Sequence, residues 1–70
     1  MSYYIVTEIQ VNNGTPAVVS YIFSDYERTL AKYYTILATA CASALELHGA
    51  FITDSEGTQL MSQVFDRRPA

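Results

Sequence analysis

From Tyr3 to Val11 the side chains alternate with a period of two. Tyr3, Ile5, Thr7, Ile9 and Val11 share one face, and Tyr4, Val6, Glu8 and Gln10 share the other. That is the period of a half-buried β-strand. Asn13-Gly14 follows, a pair suited to the positive φ angles of a tight hairpin turn, and Pro16 is barred from a central ladder position. A second strand is expected from about Ala17 to Ser24. Beyond it the period lengthens. Ser24 or Asp25 offers an N-cap, and Asp25 and Glu27 place negative charge at the positive end of a helix. The helix is expected to run to about Leu47, with His48 and Gly49 as its last turn and left-handed stop. Ala50 to Asp54 reads as a short apolar strand, the segment DSEGT as a turn with Gly57 at its tight position, and Thr58 to Asp66 as a final strand.

The order ββαββ implies an α+β fold of two layers: a four-stranded, largely antiparallel sheet with one long helix packed on one face. Residues 1–66 form the expected single domain and 67–70 a frayed C-terminal tail. The strand order stays open, because two hairpins can meet through either pair of edges.

Spacing residues 100° apart sorts the helix into stripes. Arg28, Lys32, Thr35, Thr39, Ser43 and Glu46 form the solvent side, and Tyr26, Leu30, Tyr34, Leu37, Cys41, Ala44 and Leu45 the side expected to face the sheet. Ala31, Ala38 and Ala42 make a smooth flank, while Thr29, Tyr33, Ile36, Ala40 and Leu47 make an apolar wall. One sheet needs an apolar stripe of roughly 100°. The surplus points to a second copy packed on Tyr33, Ile36, Ala40 and Leu47. On the sheet, Tyr4 and Val6, with Val18, Ile22, Phe51, Met61 and Phe65, are expected on a face the helix leaves uncovered, where a homo-oligomer would bury them.

Composition sharpens that expectation. At 70 residues a single core seldom supplies more than roughly 3–5 kcal/mol, so help from outside the monomer is expected. Half of the residues are hydrophobic and only 16% are charged. A net charge of −3 with four Lys and Arg gives no basic field for phosphates, so nucleic-acid binding is not expected. The single Cys41 excludes an internal disulfide and fits a reducing, cytoplasmic setting. MSYYIVTEIQ lacks the pattern of a signal peptide, and no apolar run reaches the roughly 18 residues a bilayer span needs.

Chemistry is sparse. Cys41 and His48, seven apart on one helix, would stand roughly 10 Å apart along its axis, too far for proton transfer. Cys41 is then a small core residue. His48 has no second histidine to share a metal, and it reads as a capping or core residue or as a ligand contact. The glycines lie at turns and form no phosphate-cradling loop. Asp25/Glu27 and Asp54/Glu56 read as cap and turn residues. Neither a catalytic site, a metal site nor a cofactor is expected. Six tyrosines remain, side chains suited to interfaces and to stacking on bases. Lys32, Tyr33 and His48, joined across a subunit boundary, would offer a cation, a ring and a switchable donor to a small anionic ligand such as a nucleotide.

The segments YYIVTEIQ, NGTPA, KYYTILATACASALELHGAFI and DSEGTQL together resemble a family of very short, uncharacterised proteins from gut Firmicutes and their phages, over nearly the whole chain. Lys32, Tyr33, Ile36, Leu37, Ala38, Ala40, Ser43, His48 and Ala50 fall on the family's pattern, and Tyr34 stands where a histidine is common. The resemblance implies a mobile-element setting. The expected role is a stoichiometric binder, a counter-defence protein that sequesters a nucleotide signal or occupies a host protein surface. The alternative is a purely structural or assembly protein with no small-molecule ligand.

Overall fold

Asn13 and Gly14 hold φ angles of 53° and 77° in a computed structural model of the chain, which describes residues 2–68. Two consecutive positive values make the tight turn whose twist matches that of paired strands. It joins β1 (Tyr4–Asn12) to β2 (Thr15–Phe23), antiparallel from Asn12↔Thr15 to Tyr4↔Phe23. The helix α1 (Tyr26–Cys41) begins where Asp25, in extended conformation, accepts the Glu27 amide on its side chain at 3.0 Å. β3 (Leu47–Asp54) and β4 (Gln59–Asp66) form the second hairpin. Its turn is fixed by the Asp54 carboxylate, which accepts the amides of Glu56 and Thr58 at 2.9 Å each, with Gly57 at φ 87°. The sheet order is β2-β1-β3-β4, all antiparallel, so the hairpins meet through β1 and β3. This is the α+β ββαββ architecture.

The helix packs through a different stripe from the expected one. Thr29, Tyr33, Ile36 and Ala40 are its buried residues, at the i, i+4, i+7, i+11 spacing of a single face. Tyr26, Tyr34 and Cys41, assigned to the sheet side, are exposed; Leu30 and Leu37 only flank the core. Both stripes are apolar, and Tyr33 and Tyr34 differ by one residue. Thr29 suits the buried stripe because its hydroxyl donates to Asp25 O at 2.8 Å, leaving no unpaired polar group. The core joins Tyr33 and Ile36 to Val6 on β1 and to Ala50 and Ile52 on β3.

The helix also ends six residues short of Leu47. Two interactions from outside it impose the stop. The Glu46 amide donates to Val11 O at 3.1 Å, which starts β3 early enough to pair the length of β1. Arg67 donates from Nη2 to Cys41 O at 3.1 Å and to Ala40 O at 2.9 Å, which also accepts the Ser43 amide at 3.2 Å, so these last carbonyls keep donors where the helix ends. Arg67 is therefore tied down and not frayed; 69–70, the end of the expected tail, lie outside the described residues. Gly49 is no helix stop. It lies inside β3, where an added Cβ would fall 2.5 Å from Gln63 O and 2.6 Å from Val64 Cα.

Candidate functional site

Strand alternation sorts every side chain of the sheet to one of two faces. Tyr4, Val6, Glu8 and Gln10 on β1 lie beside Asp54, Ile52, Ala50 and His48 on β3, under the helix. Val6 and Tyr4 are therefore not on the open face, and neither are Met61 and Phe65, which pair with Ile52 and His48. The open face carries Ile5, Ile9 and Val11 from β1, Val18 and Ile22 from β2, and Phe51 from β3. Leu47 joins it beside Val11, and Val64 beside Gly49. Val18 and Ile22 are 61% and 69% exposed.

The helix wall offered as an oligomer interface, Tyr33, Ile36 and Ala40, is the inside of the protomer, as is Val6. None of these side chains can meet a second copy in the folded chain. Leu47 is half-buried on the open face, away from the helix. The ligand trio fares no better. Tyr33 and His48 are each 2% exposed, and Lys32 turns its ammonium over the Tyr21 ring, 4.2 Å from the centroid. Burial, with Tyr34 beside it, raises the Tyr33 phenol above its ordinary value.

His48 instead belongs to a polar cluster inside the helix face. Its Nε2 lies 2.7 Å from Glu8 Oε2, and Gln10 Nε2 donates to the same carboxylate oxygen at 2.9 Å. The carboxylate accepts, so Nε2 carries a proton; Gln10, 3.3 Å from that nitrogen, then cannot donate to it. His48 Nδ1 is buried without a hydrogen-bond partner among the described residues. Burial pushes the Glu8 pKa up, but the hydrogen bonds from His48 and Gln10 and the charges of His48 and Lys32 outweigh it, and the carboxyl titrates below its ordinary value. Glu8 and His48 side chains are 15% and 3% exposed, so the imidazole lies inside the protomer and only an edge of the carboxylate reaches the surface. The effect of the pair is to tie β1 to β3, because slipping the pairing by two residues would leave a buried charge unpaired. Sequence reasoning missed Glu8 and Gln10. Their signal, two polar residues on the Val6 face of β1, is readable only once β3 is known to lie alongside.

A shallow cleft of about 260 Å³ lies at the other end, lined by Ser2, Tyr3, Tyr4, Asp54, Ser55, Glu56 and Leu60. Among the described residues two carboxylates and no cation line it, and Asp54 is occupied by its turn. Among the described residues no three His, Cys, Asp or Glu converge as metal ligands, and no helix is long and apolar enough to cross a membrane. Comparison of the chain with protein-family models, with curated proteins and with solved structures gave no match.

Proposed function

We propose that this chain is a non-catalytic, stoichiometric binding protein that engages a partner protein through the open face of its sheet. The observation that supports it most is the apolar character of that face: Ile5, Ile9 and Val11 lie between Val18 and Ile22 on one side and Phe51 on the other, broken only at the hydrogen-bonded Thr7 and Ser20 in that patch, with no described element over them. A monomer that kept this face in water would forgo burial that its small core can ill spare. The setting, a phage-type protein that occupies a host factor in the cytoplasm, comes from the resemblance of its segments to short phage-associated chains. Sequestration of a nucleotide has less support. Tyr33 and His48 lie inside the protomer, and the open cleft presents Asp54 and Glu56, which repel phosphate.

Ile9→Lys tests the reading, since Ile9 sits mid-strand on the open face between Val18 and Gly49. Wild type, incubated with host-cell extract, is expected to retain one protein at equimolar ratio. The variant is expected to lose it while unfolding at the same temperature. A partner retained equally by both, or a thermal shift of several degrees with a cyclic or linear nucleotide, would contradict the proposal.

A further inference from the structure

The two edges of the sheet are built differently. β4 carries Gln59, Ser62, Gln63 and Asp66, its pairing with β3 is irregular at Ile52/Thr53, and its end is closed by the Asp66–Arg68 ion pair at 2.9 Å. Polar side chains, charge and a register shift are the usual protections of a free edge. β2 reads TPAVVSYIF, nine residues with no charge and no bulge against β1. Pro16 falls at its first turn only. The core sits over β1 and β3, so even on the helix side Val19 is 48% exposed.

The hairpin turn determines which backbone groups β2 turns outward. A two-residue turn closes on a pair that exchanges both its hydrogen bonds, here Asn12↔Thr15, and such pairs recur at every second residue. Thr15, Ala17, Val19, Tyr21 and Phe23 therefore bond to β1. Pro16, Val18, Ser20 and Ile22 point their backbone groups away, which is where a residue lacking an N–H does least harm. The amides of Val18, Ser20 and Ile22 and the carbonyls beside them form a ready ladder, spaced to fit only another extended strand.

We propose that the partner at this edge is a second copy of the chain, paired β2 to β2 antiparallel about a two-fold axis at Ser20. In that register Ser20 faces its symmetry mate, and Val18 faces Ile22 of the second copy, twice, on the open side. Val19 faces Tyr21 of the second copy on the helix side. The strand is self-complementary: each of its three exposed large side chains meets an apolar one, and no charge meets a like charge, as a two-fold interface requires. The product is a continuous eight-stranded sheet whose two open faces merge into one platform. An edge contact of this length lies near the low end of stable interfaces, so dissociation in the micromolar range is expected. This inference stands on the edge itself and survives if the open face proves to have no partner protein.

Ser20→Pro is the test, because it removes an amide that the β1 pairing does not use. Ser20→Ala is its control: both lose the 3.3 Å hydroxyl contact to Thr7, but only the proline loses the N–H. By sedimentation at about 100 µM, wild type and Ser20→Ala are expected at twice the 7.8 kDa chain mass and Ser20→Pro at the chain mass with an unchanged circular dichroism spectrum. Hydrogen exchange of the wild type supplies a readout that does not depend on how the proline variant folds. The Val18, Ser20 and Ile22 amides should slow at least tenfold between about 1 and 100 µM. A monomeric wild type, a dimeric Ser20→Pro, or fast exchange at those three amides in an oligomer would overturn the proposal.

Discussion

The two faces of this sheet invert the usual arrangement. The face under the helix holds the titratable pair, Glu8 and His48, among Val6, Ala50 and Ile52; the face toward solvent is apolar over much of β1 and β2, and is interrupted by Thr7 and Ser20 at its middle and by Thr53, Ser62 and Asp66 toward β4. An antiparallel sheet covered on one side ordinarily turns its polar residues to the other. The difference teaches that the covered face closes on itself, with its polar atoms largely satisfied internally, while the open face keeps Val18 and Ile22 61% and 69% exposed, the surface that the proposed partner would cover.

The comparison breaks most readily at Ile52. Truncation of this fully buried side chain to alanine should cost about 2–5 kcal/mol, whereas Ile22→Ala on the open face should stay within about 0.5 kcal/mol in dilute protein. Urea denaturation of both measures the contrast, and equal losses would mean that both faces belong to the monomer's core. Gly49→Ala probes the backbone between the faces. Its methyl would meet Gln63 O and Val64 Cα, which are main-chain atoms of β4, so a loss of about 1–3 kcal/mol is expected in the same assay.

Acid sharpens the polar half of the comparison. The Glu8 pKa is depressed in the fold, so its contribution to stability is present above its ordinary value of about 4.5 and disappears as pH falls through the lower, folded value. Wild type should therefore lose stability below about pH 4.5 more steeply than Glu8→Gln, which has no carboxyl to protonate there. Thermal melts from pH 7 to pH 3 check this, and parallel profiles would remove Glu8 from the account. The smallest effect is expected at Arg67→Ala. Loss of its bonds to Ala40 O and Cys41 O should cost about 0.3–1 kcal/mol and raise hydrogen exchange in the last turn of α1.

Much of this was legible in the sequence because it rests on neighbours in the chain. The period of β1, the Asn13-Gly14 turn, the Asp25 cap and the Asp54 turn each involve residues within four positions of one another. What escaped depends on distant partners. The helix stop comes from Arg67, 26 positions beyond Cys41, and Gly49 is needed for the close approach of β4, not for a left-handed turn. Two overlapping apolar stripes leave open which tyrosine faces inward, and Tyr33, Ile36 and Ala40, expected at an interface, lie on the stripe that the sheet covers. His48 found its partner 40 residues away on β1, a contact set by strand order. Alternation along the strands shows that an apolar face stays open, but not that Val6 and Tyr4 lie on the other one, because one strand's alternation does not say which side the helix takes.

The most direct test is a Val18→Lys/Ile22→Lys double variant, followed by urea unfolding at low micromolar concentration and by sedimentation at about 100 µM. If the chain folds on one face of its sheet and binds with the other face and its β2 edge, the unfolding free energy stays within about 1 kcal/mol of wild type and self-association is lost. An unfolded variant, or one that still associates as wild type does, would contradict that division of the sheet.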